Sequence, residues 1–299
     1  MTDTPAQPLP ALPEAELQRL QSRFAARDVA LPGGAVVSVR ECGAADNQGQ
    51  GSAPVFVCLH GIGSGAASWL DTALQLAAQQ PGARVIAWDM PGYGRSTPVA
   101  PPRPVAEDYA GRLAALLQAL QIARCVLVGH SLGAITAARA CRPGAAAADR
   151  IAQLVLISPA IGYGAAGRQE QAGRVRTQRL DTLAREGVAG MAARADQRLL
   201  SAHAGERARQ WVRWNMGRLN DAGYTQAVQL LAGADLLADL PPAMPVTVAC
   251  GALDIVTPPP ACEQVAQACG VPLQRLPQAG HACYVEQPEA TARLLGDAH

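Results

Sequence analysis

The chain has 299 residues, 49% of them hydrophobic and 16% charged, a balance that fits a packed globular core and excludes a disordered polymer. Its formal net charge of +1 gives no electrostatic reason to expect nucleic acid or an acidic membrane surface as a partner. No stretch approaches the roughly 20 apolar residues that a membrane-spanning helix needs, so no membrane association is expected.

In chain order, residues 1–26 read as a Pro-rich N-terminal tail and a short amphipathic helix, "EAELQRLQSRFAAR". The first residues hold acids and prolines where a signal peptide would have a basic start and an apolar run, and a cytoplasmic location is expected. "DVALPGGAVVSVREC" predicts a hairpin turning at Pro-Gly-Gly. After the polar connection "GAADNQGQGSAP" come four apolar runs, "VFVCLH", "RVIAWD", "CVLVGH" and "QLVLIS". Helical patterns such as "SWLDTALQLAAQQ" and "VAEDYAGRLAALLQAL" separate them. Strands apolar throughout and alternating with helices predict an α/β fold, a mostly parallel central sheet with helices on both faces. Past Ser158-Pro159 the alternation stops. Residues 161–241 predict helices only, among them "VRTQRLDTLAREGVAGMAARADQRLL", before "PVTVACG", "PPACEQVAQACG" and "VPLQRL" resume strand, helix, strand. The expected organisation is therefore a core in two parts, 27–160 and 242–299, with an inserted helical lid over 161–241. Eight cysteines lie scattered without a C-x-x-C pair, and Cys58, Cys125 and Cys250 fall inside strand-like runs, so buried free thiols are expected rather than disulfides.

The chemistry concentrates where strands end. In "VLVGHSLGAI", Ser131 falls between a predicted strand and a predicted helix, with Gly129 and Gly133 two residues to either side. A turn that sharp strains the serine backbone, and side chains at the flanking positions would collide with the packed helix. The pattern is the nucleophile elbow G-x-S-x-G. A serine hydroxyl needs a base, and the base needs an orienting carboxylate. "VACGALDIVTPP" places Asp254 past a strand end, and "LPQAGHACYVEQPE" places His281 past the next. Of the other histidines after Ser131, His203 precedes Asp254 and His299 ends the chain, which leaves His281 as the base. "LHGIGSGAASW" follows the strand "VFVCL" as an oxyanion loop should, with the amides of Ile62 and Leu132 as donors and His60 and Gly61 shaping the loop. Gly63 and Gly65 complete no G-x-G-x-x-G, so no dinucleotide cofactor is expected. No ligand cluster suggests a metal, and no cofactor is expected at all.

"HGIGSGAASW", "WDMPGYGRS", "GHSLGA", "GALDIVTPP" and "GHACYVEQPE" occur in this order and resemble the α/β-hydrolase superfamily over all but the tail and the insertion. Within it the chain is most similar to lid-bearing bacterial esterases, enol-lactonases and C–C bond hydrolases. The C–C hydrolases usually carry a tryptophan soon after the histidine and an asparagine before the serine. Here Ala282-Cys283-Tyr284 and His130 stand instead. Ser131 also departs from the aspartate nucleophile of the family's epoxide hydrolases and dehalogenases. The resemblance implies hydrolysis of a small carboxylic ester or lactone through an acyl-enzyme. The alternatives are C–C or amide cleavage by the same triad, a methyl esterase acting on an acidic carrier protein, and a non-catalytic binder.

The insertion would then cover the site. Arginines 168, 174, 176, 179, 185, 194, 198, 207, 209, 213 and 218 fall within it, and every basic residue of the chain is arginine. Their spacing suits a solvated helix face, and one or two turned inward would clamp a substrate carboxylate bidentately. Trp69, Trp211, Trp214, Tyr284 and His130 are candidates for lining a substrate pocket, with packing as the other role for the lid tryptophans. A small-molecule substrate and a monomer or homodimer are expected.

Overall fold

The computed structural model describes residues 8–297. In chain order it forms α1 (Glu14–Arg23), β1 (Ala26–Ala30), β2 (Val36–Gly43), β3 (Val55–Leu59), α2 (Leu70–Gln79), β4 (Arg84–Trp88) and α3 (Ala106–Ala119). There follow β5 (Cys125–His130), α4 (Leu132–Ala140), β6 (Ile151–Ile157), α5 (Gln169–Ala193), α6 (Ala195–Leu199), α7 (Glu206–Met216) and α8 (Asp221–Gly233). The chain closes with β7 (Val246–Gly251), α9 (Pro259–Cys269), β8 (Leu273–Leu276), α10 (Cys283–Glu286) and α11 (Pro288–Gly296).

The apolar runs become one eight-stranded sheet in the order β1-β2-β4-β3-β5-β6-β7-β8. The hairpin β1–β2 is antiparallel and joins β4 antiparallel, while every pair from β4 to β8 is parallel. All residues of β3, β4 and β5 are buried, as strands covered on both faces must be. Successive side chains feed opposite cores. Val55, Val57 and Leu59 of β3 pack with Leu113 of α3, Ile135 of α4 and Val265 of α9 on one side. Phe56 and Cys58 pack with Leu20 of α1, Leu76 of α2 and Leu294 of α11 on the other. All eight cysteines are free, and six are buried. Among the described residues no helix is long and apolar enough to cross a membrane.

The amphipathic N-terminal pattern stops being helical earlier than its apolar spacing suggests. Phe24 leaves the helix at φ −151°, its carbonyl accepts from Arg40 of β2 at 2.6 Å, and Ala26 already pairs in the sheet. The pattern over 175–200 is likewise interrupted, at Gly187 (φ 63°) and again at Arg194 between α5 and α6. Several arginines of this region are both solvated and ion-paired, Arg174 with Glu170, Arg185 and Arg194 with Glu186. Arg213 and Arg209 neutralise the buried Asp196 at 2.7 and 3.3 Å, and Arg207 ties α7 to Glu16 and Asp71.

Candidate active site

β5 ends at His130 and α4 begins at Leu132, so the whole reversal falls on Ser131, held at φ 54° and ψ −115°. A left-handed φ on a non-glycine residue costs about 1–3 kcal/mol and persists only where the surroundings impose it. Here they do. A Cβ at Gly129 would stand 2.7 Å from the Ala134 backbone, and one at Gly133 would stand 2.5 Å from the Leu59 carbonyl. The two glycines therefore let helix, strand and β3 meet around the serine. Ser131 is only 5% exposed, yet it lines a cavity of about 490 Å³.

His281 lines the same cavity, from the loop between β8 and α10. Its Nδ1 lies 2.8 Å from Oδ2 of Asp254, and both residues are buried. Asp254 also accepts the amides of Val256 and Thr257 at 2.8 and 3.0 Å. Burial alone would raise its carboxyl, but the hydrogen bond and charge of His281 and the two amides outweigh it and hold the pKa at about 2. The carboxylate thus fixes the proton of His281 on Nδ1, which leaves Nε2 as the unprotonated ring nitrogen.

Two residues that support this pair carried no sequence signal. Oγ1 of Thr257 lies 2.9 Å from Asp254 Oδ2, 3.0 Å from the Ser158 carbonyl and 3.2 Å from His281 Nδ1, bridging β6 to the Asp254–His281 pair. Glu286 accepts the amide of Gly280 at 2.9 Å and that of Ser201 at 3.0 Å, and also the Ser201 hydroxyl, which ties the histidine loop to the turn before α7.

The loop after β3 faces Ser131 from the other side. Ile62 and Leu132 both line the cavity, and neither amide has a protein acceptor among the described residues. His60 is buried away from the chemistry. Its Nδ1–H donates to the Gly61 carbonyl at 2.8 Å, and its Nε2 accepts the Met90 amide at 3.0 Å, so the ring staples this loop to β4. Burial lowers its pKa, in keeping with a neutral structural ring.

Of the expected pocket aromatics, Tyr284 and His130 line the cavity, while Trp69, Trp211 and Trp214 do not belong to its wall. Trp69 is wholly buried one layer behind, stacked on Tyr284 with centroids 4.1 Å apart. Trp211 and Trp214 pack edge to face, with the Trp211 indole N–H donating to Glu16 at 3.2 Å. Size and hydrophobicity marked all three, but the space left by neighbouring helices assigns them to packing. The inserted helices instead supply Arg179, Arg194, Arg198, Asn215 and Met216 to the wall, and among the described residues no aspartate or glutamate lines it. Arg194 pairs with Glu186, whereas Arg179 and Arg198 make no ion pair among the described residues.

His130 donates from Nε2 to the His281 carbonyl at 2.9 Å, and its buried Nδ1 has no partner among the described residues. Burial, with the neighbouring His281 second, pushes its pKa from 6.5 down to about 3. Below 6.5 the unfolded chain takes up a proton that the folded ring refuses, so the stability is complete above 6.5 and is lost progressively as the pH falls towards 3. His60 acts with the same sign, while Asp254 adds its loss only below 3.8. The thermal midpoint should therefore fall between pH 6.5 and about 4, and His130→Gln should flatten that decline. An unchanged slope in the variant would place the acid sensitivity elsewhere.

The sequence model of the alpha/beta hydrolase family matches residues 56–294. Among curated proteins, the dihydrolipoyllysine-residue acetyltransferase component of the acetoin cleaving system of Pseudomonas putida is 34% identical over 153 residues, 49% of this chain and 39% of that protein. The first curated relatives are matched over only 30–39% of their own length. Among solved structures, the enol-lactonase from Burkholderia xenovorans LB400 is similar with a TM-score of 0.76 at 24% identity, over 91% of this chain and 98% of that one. A thermophilic esterase from Thermogutta terrifontis gives 0.71 at 22%, over 91% and 97%. These likenesses establish the α/β-hydrolase fold.

Proposed function

The chain belongs to the alpha/beta hydrolase family, and on that premise we propose that it is a serine hydrolase of small carboxylic esters or lactones that carry a carboxylate of their own. The observation that carries the reading is the Asp254–His281 hydrogen bond of 2.8 Å, together with His281 and Ser131 in one cavity. Nε2 of His281 takes the hydroxyl proton as Ser131 Oγ attacks the acyl carbon, and the positive imidazole is steadied by Asp254. The carbonyl oxygen becomes an oxyanion facing the unpartnered amides of Ile62 and Leu132, where each donor is worth about 2.7–4 kcal/mol in the transition state. The tetrahedral intermediate collapses, His281 passes its proton to the leaving oxygen, and the acyl group stays on Ser131. Water then gives up a proton to His281 and attacks the acyl-enzyme, and His281 returns that proton to Ser131 Oγ as the acid leaves. Trp69, Trp211 and Trp214 hold the scaffold in this scheme, and residues 161–241 act as the lid.

The substrate carboxylate follows from the wall itself, which offers Arg179 and Arg198 without ion-pair partners and has no acidic side chain to balance them. A carboxylate seated on a guanidinium forms short charge-assisted bonds that a neutral ester cannot. Succinate monoethyl ester should therefore be preferred over ethyl butyrate, by about tenfold or more in kcat/KM, and Arg179→Met with Arg198→Met should collapse that ratio. Equal turnover of the two esters would contradict an anionic substrate and leave the ester chemistry standing.

A further inference from the structure

Behind the oxyanion loop lies a second cavity of about 170 Å³, which shares Ser64 and Asn215 with the first. Its wall is mostly polar and brings together Arg40 of β2, Arg95 from the loop after β4 and Arg218 from the loop after α7, against a single carboxylate, Asp89. That carboxylate is engaged, its Oδ1 accepting the Ala66 amide at 2.8 Å. Arg95 is engaged as well, forked onto Asp28 at 2.9 Å.

Arg40 is different. It is only 7% exposed, and the one protein acceptor it holds among the described residues is the Phe24 carbonyl, at 2.6 Å. Arg84, the other buried arginine, has the Glu41 carboxylate at 2.9 Å, whereas Arg40 forms no ion pair among the described residues. Burial pulls the Arg40 pKa down to about 10, and the charge of Asp89 only partly opposes it. Arg218 likewise has no carboxylate partner among the described residues and lies over the Trp214 ring at 4.7 Å. A buried guanidinium costs free energy unless a negative group meets it, and here its remaining donors border a cavity with a second unpaired guanidinium on the wall.

We propose that this cavity is an anion site that takes a small oxyanion group, a carboxylate or a phosphate, between Arg40 and Arg218. Its position gives the occupant a consequence. Ser64 and Gly65 form its wall and continue from Ile62, and Ser64 also holds Ser68 and the Tyr284 hydroxyl at 2.8 and 3.0 Å. An anion seated there braces the loop that carries one oxyanion donor. The group arrives either as a free ion or as the far end of a long substrate that passes Ser64 and Asn215.

The test does not depend on the esterase reading. Inorganic phosphate is titrated into the full-length protein by isothermal calorimetry at constant ionic strength. Saturable binding is expected, weakened about tenfold or more in Arg40→Gln and in Arg218→Gln, and unchanged in Arg198→Gln of the first cavity. Arg218 is exposed, so its variant remains informative should the buried change at Arg40 disturb folding. Loss of binding in Arg198→Gln alone, or no saturable binding to the wild type, would overturn the proposal. The two sources then separate by kinetics. Phosphate that raises KM for a long anionic ester only marks the far end of a substrate, and phosphate that alters kcat for every ester marks a free ion acting through the loop.

Discussion

Ser131→Ala should abolish ester turnover, lowering kcat by about a millionfold, while the folded protein keeps its thermal midpoint within about a degree or two. The two halves of this expectation come from different parts of the site. In the proposed mechanism the oxygen removed is the atom of Ser131 that attacks the acyl carbon, so the acyl-enzyme route is lost with it. The backbone at φ 54° is held by Gly129, Gly133 and the strand beneath, none of which depends on the hydroxyl. His281→Ala should cost a comparable amount, and the double variant little more than either alone, because the nucleophile and base act as one unit. Losses that multiply in the double variant would show two independent contributions and break the proposed coupling.

Asp254→Asn should lower kcat by about ten-thousandfold with little change in KM. The amide preserves the shape of the loop, but its Nδ2 can present a donor to His281 where the carboxylate presents only acceptors. His281 would then turn its proton towards Ser131 and lose its basic Nε2. The charge is lost as well, and with it the stabilisation of the imidazolium that forms during attack. The carboxylate now receives the Val256 and Thr257 amides in addition to His281, so the loop should also lose stability. A variant of near-normal rate would mean that a different acid orients the base.

Much of this site was legible because it is local. The elbow pattern is five consecutive residues, and Asp254, His281 and the Ile62 loop each sit a few residues past an apolar run that the structure confirms as a strand. What stayed hidden depends on contacts between distant residues. Thr257 looks like any loop threonine until Ser158, 99 positions away, comes within 3.0 Å of its hydroxyl. Glu286 resembles a solvent-facing helix residue, yet it binds the backbone of Ser201, 85 positions away. The arginines of 161–241 share one spacing pattern, and the kink at Gly187 and the break at Arg194 help decide which of them meet the cavity. Trp211 and Trp214 fail as pocket markers for the same reason, since an aromatic side chain satisfies a core and a binding wall equally well.

The proposed mechanism stands on an activated serine at position 131. Treating the purified protein with a fluorophosphonate and locating the adduct by mass spectrometry reads that activation without a substrate. One covalent adduct is expected, on Ser131, formed by the wild type and lost in His281→Ala. An adduct on another residue, or none on protein shown to be folded, would contradict it.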